Sequence, residues 1–283
     1  MARPSSTHRL LLIALLLWGC GGKDRRAADL SHRIIRSGDR LYADRTDVVK
    51  LDQAIQWYLS GNREFPESAK MMGRLARAYV ARSYGHPAEG LDGYATARQF
   101  GLACLKTEAA FGGLVMSTGG EITAKAIATL EEDRIGCMTW TSIAWSRWLA
   151  DRGVVGAGID LGATIALARR AVEVKEGYDG GRPYAALGLA LALAPKPMKP
   201  KLGLARAALQ QAMETSPTRL TPVVDLAEFV SAPQGKKKEW RSLLQRVVQT
   251  ELRPDDQDHL ENQAAIARAK ALLEKGPSDR WMD

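Results

Sequence analysis

Four histidines, three cysteines and scattered carboxylates are the residues of this chain able to carry reactive chemistry. His8, His32, His86 and His259 lie far apart, with no partner at metal-ligand spacing. In His86-Pro-Ala-Glu89 the proline breaks the helical turn that would bring a zinc-binding pair together. Glu131, Glu132 and Asp133 end one segment and Asp255, Asp256 and Asp258 begin another, and both groups read as solvated helix ends. A catalytic pair needs two carboxylates converging with separated pKa values. The Gly153-x-x-Gly156-x-Gly158 stretch lacks the glycine order and preceding strand of a dinucleotide-binding loop, so it reads as a turn between helices. Neither a nucleophile elbow nor a P-loop is present. These residues predict a non-enzymatic protein without cofactor or metal.

Cys20 is a different matter. It follows Arg3, Arg9 and an apolar run from Leu10 to Trp18, the layout of a secretory signal. That run is too short to span a membrane, which takes roughly 20 residues. Leu17-Trp18-Gly19-Cys20 also resembles a bacterial lipobox, although Trp18 replaces a smaller residue. The expected organisation is a signal peptide over residues 1–19 and an anchor and tether over 20–27. A helical domain over 28–275 and a tail over 276–283 follow. Acylation of Cys20 would hold the protein to the periplasmic side of the envelope. Gly21 is not the aspartate linked to inner-membrane retention, which favours the outer membrane. Of the remaining cysteines, Cys104 and Cys137 could pair in an oxidising compartment, but two buried thiols are the favoured reading.

Forty Lys and Arg residues against 32 Asp and Glu give a formal charge of +8. The charges are scattered and no basic run is interleaved with aromatics, which argues against nucleic-acid binding. Lys236, Lys237 and Lys238 stand at the start of a helix, the unfavourable end for cations. They read as a solvated cluster or as a contact for an acidic partner or lipid head groups.

The elements that must position these residues are helices. From Ala28 onward Ala and Leu dominate, and Gly or Pro interrupts the chain. Breaks fall at Pro66, Gly85–Pro87, Gly112–Gly120, Gly153–Gly158, Gly180–Gly181, Pro195–Pro200, Pro217, Pro233–Gly235 and Pro254. Trp240, Leu243, Leu244, Val247 and Val248 fall on one helical face. The last helix is expected to open at Asp255 and Asp256 and to stop at Gly276-Pro277. Trp140, Trp145 and Trp148 belong to one helix, where they fill gaps between helices or line a ligand or partner surface. Tyr79 and Tyr184 carry the same two readings.

A repeat also emerges. Ala54, Tyr58, Gly61 and Pro66 match the second-helix spacing of a tetratricopeptide unit, about 34 residues long, as do Ala205, Leu209, Ala212 and Pro217. Tyr184, Leu187, Gly188 and Leu191 match the first-helix half. Weaker echoes fall at Leu75, Ala76 and Tyr79, and at Trp140, Ile143 and Ala144. The predicted fold is all-α: a tetratricopeptide-like right-handed stack of antiparallel helix pairs. It has about four degenerate repeats, irregular inserts and C-terminal capping helices.

In this order the segments resemble the T-component family of tripartite ATP-independent periplasmic transporters. The resemblance rests on the lipoprotein-like leader, on Asp47-Val-Val-Lys-Leu-Asp-Gln-Ala-Ile55, and on Tyr184-Ala-Ala-Leu-Gly188 followed by Leu204 to Pro217. The closing helix from Leu260-Glu-Asn262-Gln-Ala264 through Ala267, Ala269, Leu272 and Leu273 completes it. The resemblance implies a non-enzymatic accessory subunit that associates with the periplasmic solute-binding P subunit and handles a hydrophobic ligand. Membrane Q and M subunits would drive uptake with an ion gradient. It leaves a homo-oligomer open. The alternative is a general tetratricopeptide lipoprotein scaffold for envelope assembly or pilus biogenesis. A third reading is an exported enzyme on a helical scaffold.

Overall fold

The computed structural model describes residues 26–86, 90–152, 158–193, 201–253 and 256–276. Cys20, the leader, most of the tether, Pro87, the glycines Gly153 and Gly156, Pro195–Pro200, Pro254, Asp255 and the tail from Pro277 lie outside them. Among the described residues all regular structure is helical.

The first helix, α1, covers residues 26–43. Asp47 then opens α2 (Val48–Glu64) by accepting from the backbone N–H groups of Val49 and Lys50 at 2.9 and 3.4 Å. Ser68 caps α3 (Ala69–Gly85) in the same way, through the N–H of Met71. Next come α4 (Gly90–Lys106), α5 (Ala109–Ser117), the short α6 (Ala124–Ile127), a 3₁₀ turn (Glu132–Arg134) and α7 (Ile135–Arg152). The chain continues through α8 (Gly158–Lys175), α9 (Arg182–Ala192), α10 (Leu202–Thr215) and α11 (Thr221–Asp225). A π-helical turn (Leu226–Ser231), α12 (Lys237–Val248) and α13 (His259–Lys275) complete it.

Neighbouring helices pack in chain order: α2 with α3, α3 with α4, α7 with α8, α8 with α9, and α9 with α10. The inserted α5 and α6 leave α4 free to pack on α7, and α3 reaches α7 as well. Two glycines of the repeat pattern, Gly61 and Gly188, lie at close helix approaches. At Gly188 an added Cβ would come 2.6 Å from Leu209 Cγ, so only glycine lets α9 lie this close to α10. Ala54, Tyr58, Ala205, Leu209 and Ala212 are buried.

Three expectations need correction. Gly112 does not break the chain but sits inside α5, where a Cβ would meet the Lys106 carbonyl at 2.6 Å. The last helix begins at His259 rather than at the earlier aspartates, and Asp258 before it gives its carboxylate to two arginines instead of capping the helix. Cys104 and Cys137 are not free thiols: they form a disulfide. The packing of α4 on α7 brings their Cα atoms to 6.1 Å, within disulfide reach.

The rest of the C-terminal region follows its pattern. Trp240, Leu244 and Val247 are buried on α12, while Lys236, Lys237 and Lys238 remain exposed at its start. Gly276, at φ 78°, ends α13. Instead of trailing from the last pair, α13 packs back on α3, and Leu260 joins the N-terminal core with Leu51, Tyr58 and Leu75.

Candidate functional site

Two cavities border α7 from different sides. One is a hollow of about 620 Å³ where α3, α4, α7, α11 and α13 meet. Its walls include Tyr84, Leu91, Tyr94, Val224 and the alanines of α13 at 264, 267 and 271, which repeat on one helical face. Small side chains at those positions leave the space open. Tyr84 and Tyr94 meet edge to face at 6.2 Å, and burial pushes both hydroxyls up, so they stay neutral. Four charged residues border this largely apolar hollow, Arg147, Asp151, Asp225 and Arg268, and Arg147 donates to both carboxylate oxygens of Asp225 at 2.8 and 2.7 Å. The side chains of that pair are only 6% and 4% exposed. The arrangement suits a ligand with an apolar body.

The other cavity is a polar cleft. It consists of adjoining hollows of about 580 and 560 Å³ that share Arg74, Arg77 and Trp140. The first opens between the starts of α3 and α7, where Ser68, Lys70, Arg134, Gly136 and Tyr178 join the lining. The second runs toward α1 and the start of α13 and carries Asp39, Asp179, Arg182 and Asp258. Asp39 accepts two bonds from Arg74 and one from Tyr58, each 2.7 Å. Arg77 lies 4.0 Å over the Tyr42 ring, and Arg182 lies 4.7 Å over Trp140. Deeper in, Arg182 reaches Asp258 at 2.6 Å and Glu261 at 2.7 Å, while Arg219 holds the second Asp258 oxygen at 3.0 Å. Burial alone would push the Asp258 carboxyl up, but the two arginines outweigh it and hold it below the usual range.

Residues 66–278, which include every helix around the first cavity, match the sequence pattern of the TRAP transporter T-component family. The chain belongs to that family. No curated protein matches it. T components are accessory subunits of transport systems and not a known family of enzymes. The match takes in the segments at Tyr184–Gly188, Leu204–Pro217 and Leu260–Leu273 and begins after Asp47–Ile55. No helix among the described residues is long and apolar enough to cross a membrane.

In this T component the five aromatic residues singled out by sequence do not share one cavity. Trp140 lines both parts of the cleft. Trp145 and Trp148 turn toward α4, with the Arg98 guanidinium 4.3 and 4.9 Å from their rings. Tyr79 stacks on Phe100 at 5.8 Å. Tyr184 donates its hydroxyl to Glu176 on the outside of α9. Sequence reasoning passed over Arg147, Arg182, Asp225 and Glu261. A signal existed for the first and third: each is a lone charge in an apolar run, Ala144-Trp-Ser-Arg-Trp-Leu149 and Val223-Val-Asp-Leu226. Such a charge is costly to bury without a partner.

Proposed function

We propose that this T component is a lipoprotein accessory subunit on the periplasmic side of the envelope, anchored through Cys20, with the outer membrane as its address. Its helix pairs form a tetratricopeptide-like right-handed stack that docks the solute-binding P subunit. The apolar hollow beside the Arg147–Asp225 pair holds a hydrophobic ligand. Membership of the family over residues 66–278 carries this reading. Supporting it are the consecutive helix packing and a hollow walled by tyrosines and alanines. Trp140 and the other aromatic residues contribute partner or ligand contacts from several faces.

The test uses full-length protein isolated from native membranes after crosslinking. The expected result is a crosslinked solute-binding subunit together with an apolar ligand in the purified protein. Ala267→Trp, which fills the hollow, should strip the ligand while leaving the helical spectrum intact. Crosslinks to envelope-assembly proteins alone would overturn the transport docking, and unchanged ligand content in Ala267→Trp would overturn the hollow as its seat.

A further inference from the structure

We infer that the hollow between the first turns of α3 and α7 is an oxyanion site, taking a carboxylate or phosphate group. The inference rests on the cleft alone and not on the transport reading. Trp140 is 2% exposed, and its indole N–H has no acceptor within the protein although the residue lines the hollow. The Nε–H groups of Arg77 and Arg134, on the same lining, are also buried without an acceptor. Arg98, Arg147, Arg206 and Trp145 leave such a donor unpaired elsewhere, but only here do three gather along one cavity among the described residues, a grouping suited to an acceptor from outside.

The charge balance selects the kind of acceptor. Lys70, Arg74, Arg77 and Arg134 line this hollow against one carboxylate, Asp133, whose side chain is 63% exposed. Arg74 is committed to Asp39, and Arg134 contacts Asp133 and Glu108. Arg77 has Asp39 only at 3.6 Å. The first turn of α3 borders the space, and the positive end of a helix favours anions, whereas α7 is entered directly from the 3₁₀ turn. A neutral carbonyl offers one oxygen to these donors, whereas a carboxylate or phosphate offers several with matching charge. On the far side of Trp140 the adjoining hollow carries five aspartates, which confines an anion to the Lys70 side.

The test follows the indole N–H resonances of ¹⁵N-labelled full-length protein in detergent. Citrate and inorganic phosphate are titrated separately at an ionic strength held constant with chloride. The Trp140 signal, assigned by its loss in Trp140→Phe, should move and saturate with at least one of them, while that of Trp240 stays in place. The anion that saturates identifies the group. Lys70→Gln, at an exposed position that does not threaten folding, and Arg134→Gln should each weaken binding about tenfold. A Trp140 signal that stays put with both anions overturns the site. So does a shift that fails to saturate, or affinities unchanged in both charge variants.

Discussion

Asp39 illustrates how one carboxylate ties the N-terminal helices together. It stands on α1 and accepts from Tyr58 of α2 and Arg74 of α3. Burial pushes its carboxyl up, but the bonds from Arg74 and Tyr58, with the charges of Arg74 and Arg77, hold it below the ordinary value of 3.8. A carboxylate with a depressed pKa stabilises the fold fully above its unfolded value and loses that contribution as pH falls through the folded one. Asp39→Asn should therefore lower the urea midpoint at neutral pH. Its deficit should shrink as the pH drops below 3.8. Midpoints measured across the acid range check this, and a deficit independent of pH would exclude the ion pair as its source. The position of Asp39 on a helix was legible in the sequence. Its partners were not, since Arg74 is 35 residues away and reaches it only when α1 and α3 come together in the fold.

At the scale of elements, the junction of α4 and α7 is the least predictable part of the fold. The intervening insert offered glycines that looked like breaks, yet it folds into α5 and α6 and buries Phe111, Val115, Ile127 and Leu130 in a core shared with Leu105 of α4, Met138 of α7 and Leu167 of α8. That core brings α4 and α7 side by side and closes the Cys104–Cys137 bond across a separation of 33 residues. Cross-linking a loop of that length removes unfolded-state entropy worth about 3–4 kcal/mol. The Cys104→Ala/Cys137→Ala double variant should lose about that much unfolding free energy in guanidinium. Added reductant should bring the parent protein down to the same value; a parent indifferent to reductant would contradict the bond. Cysteine spacing was mute here because pairing follows from how the insert folds. By contrast, the buried stripe of α12 was readable directly from its period.

For the whole molecule, the decisive feature is that α13 returns to α3 and the C-terminal group is pinned by buried charges. Arg147 and Asp225 join α7 to α11, and Arg182 joins α9 to Asp258 and Glu261 at the start of α13. Losing one partner of a buried pair leaves an uncompensated charge and costs about 3–5 kcal/mol, whereas replacing both with apolar groups costs much less. Asp225→Leu should thus destabilise by that amount, and Arg147→Leu/Asp225→Leu should recover most of it in the same denaturant series. A double variant as unstable as the single one would mean that the pair does more than neutralise itself.

The amino-acid sequence by itself determined the helical class, most helix ends and some of the sites of close helix approach. These depend on interactions within a turn or two: side-chain caps such as Asp47, periodic apolar faces, and small residues such as Gly188 set against Leu209. Only the tertiary structure decided which charges pair, that the cysteines bond, and where the two cavities open. Arg147 and Asp225 are 78 residues apart, and Arg182 and Asp258 are 76 apart. Over such distances no periodicity links one residue to the other; they meet because packed helices exclude water, and a charge buried there without a partner is costly.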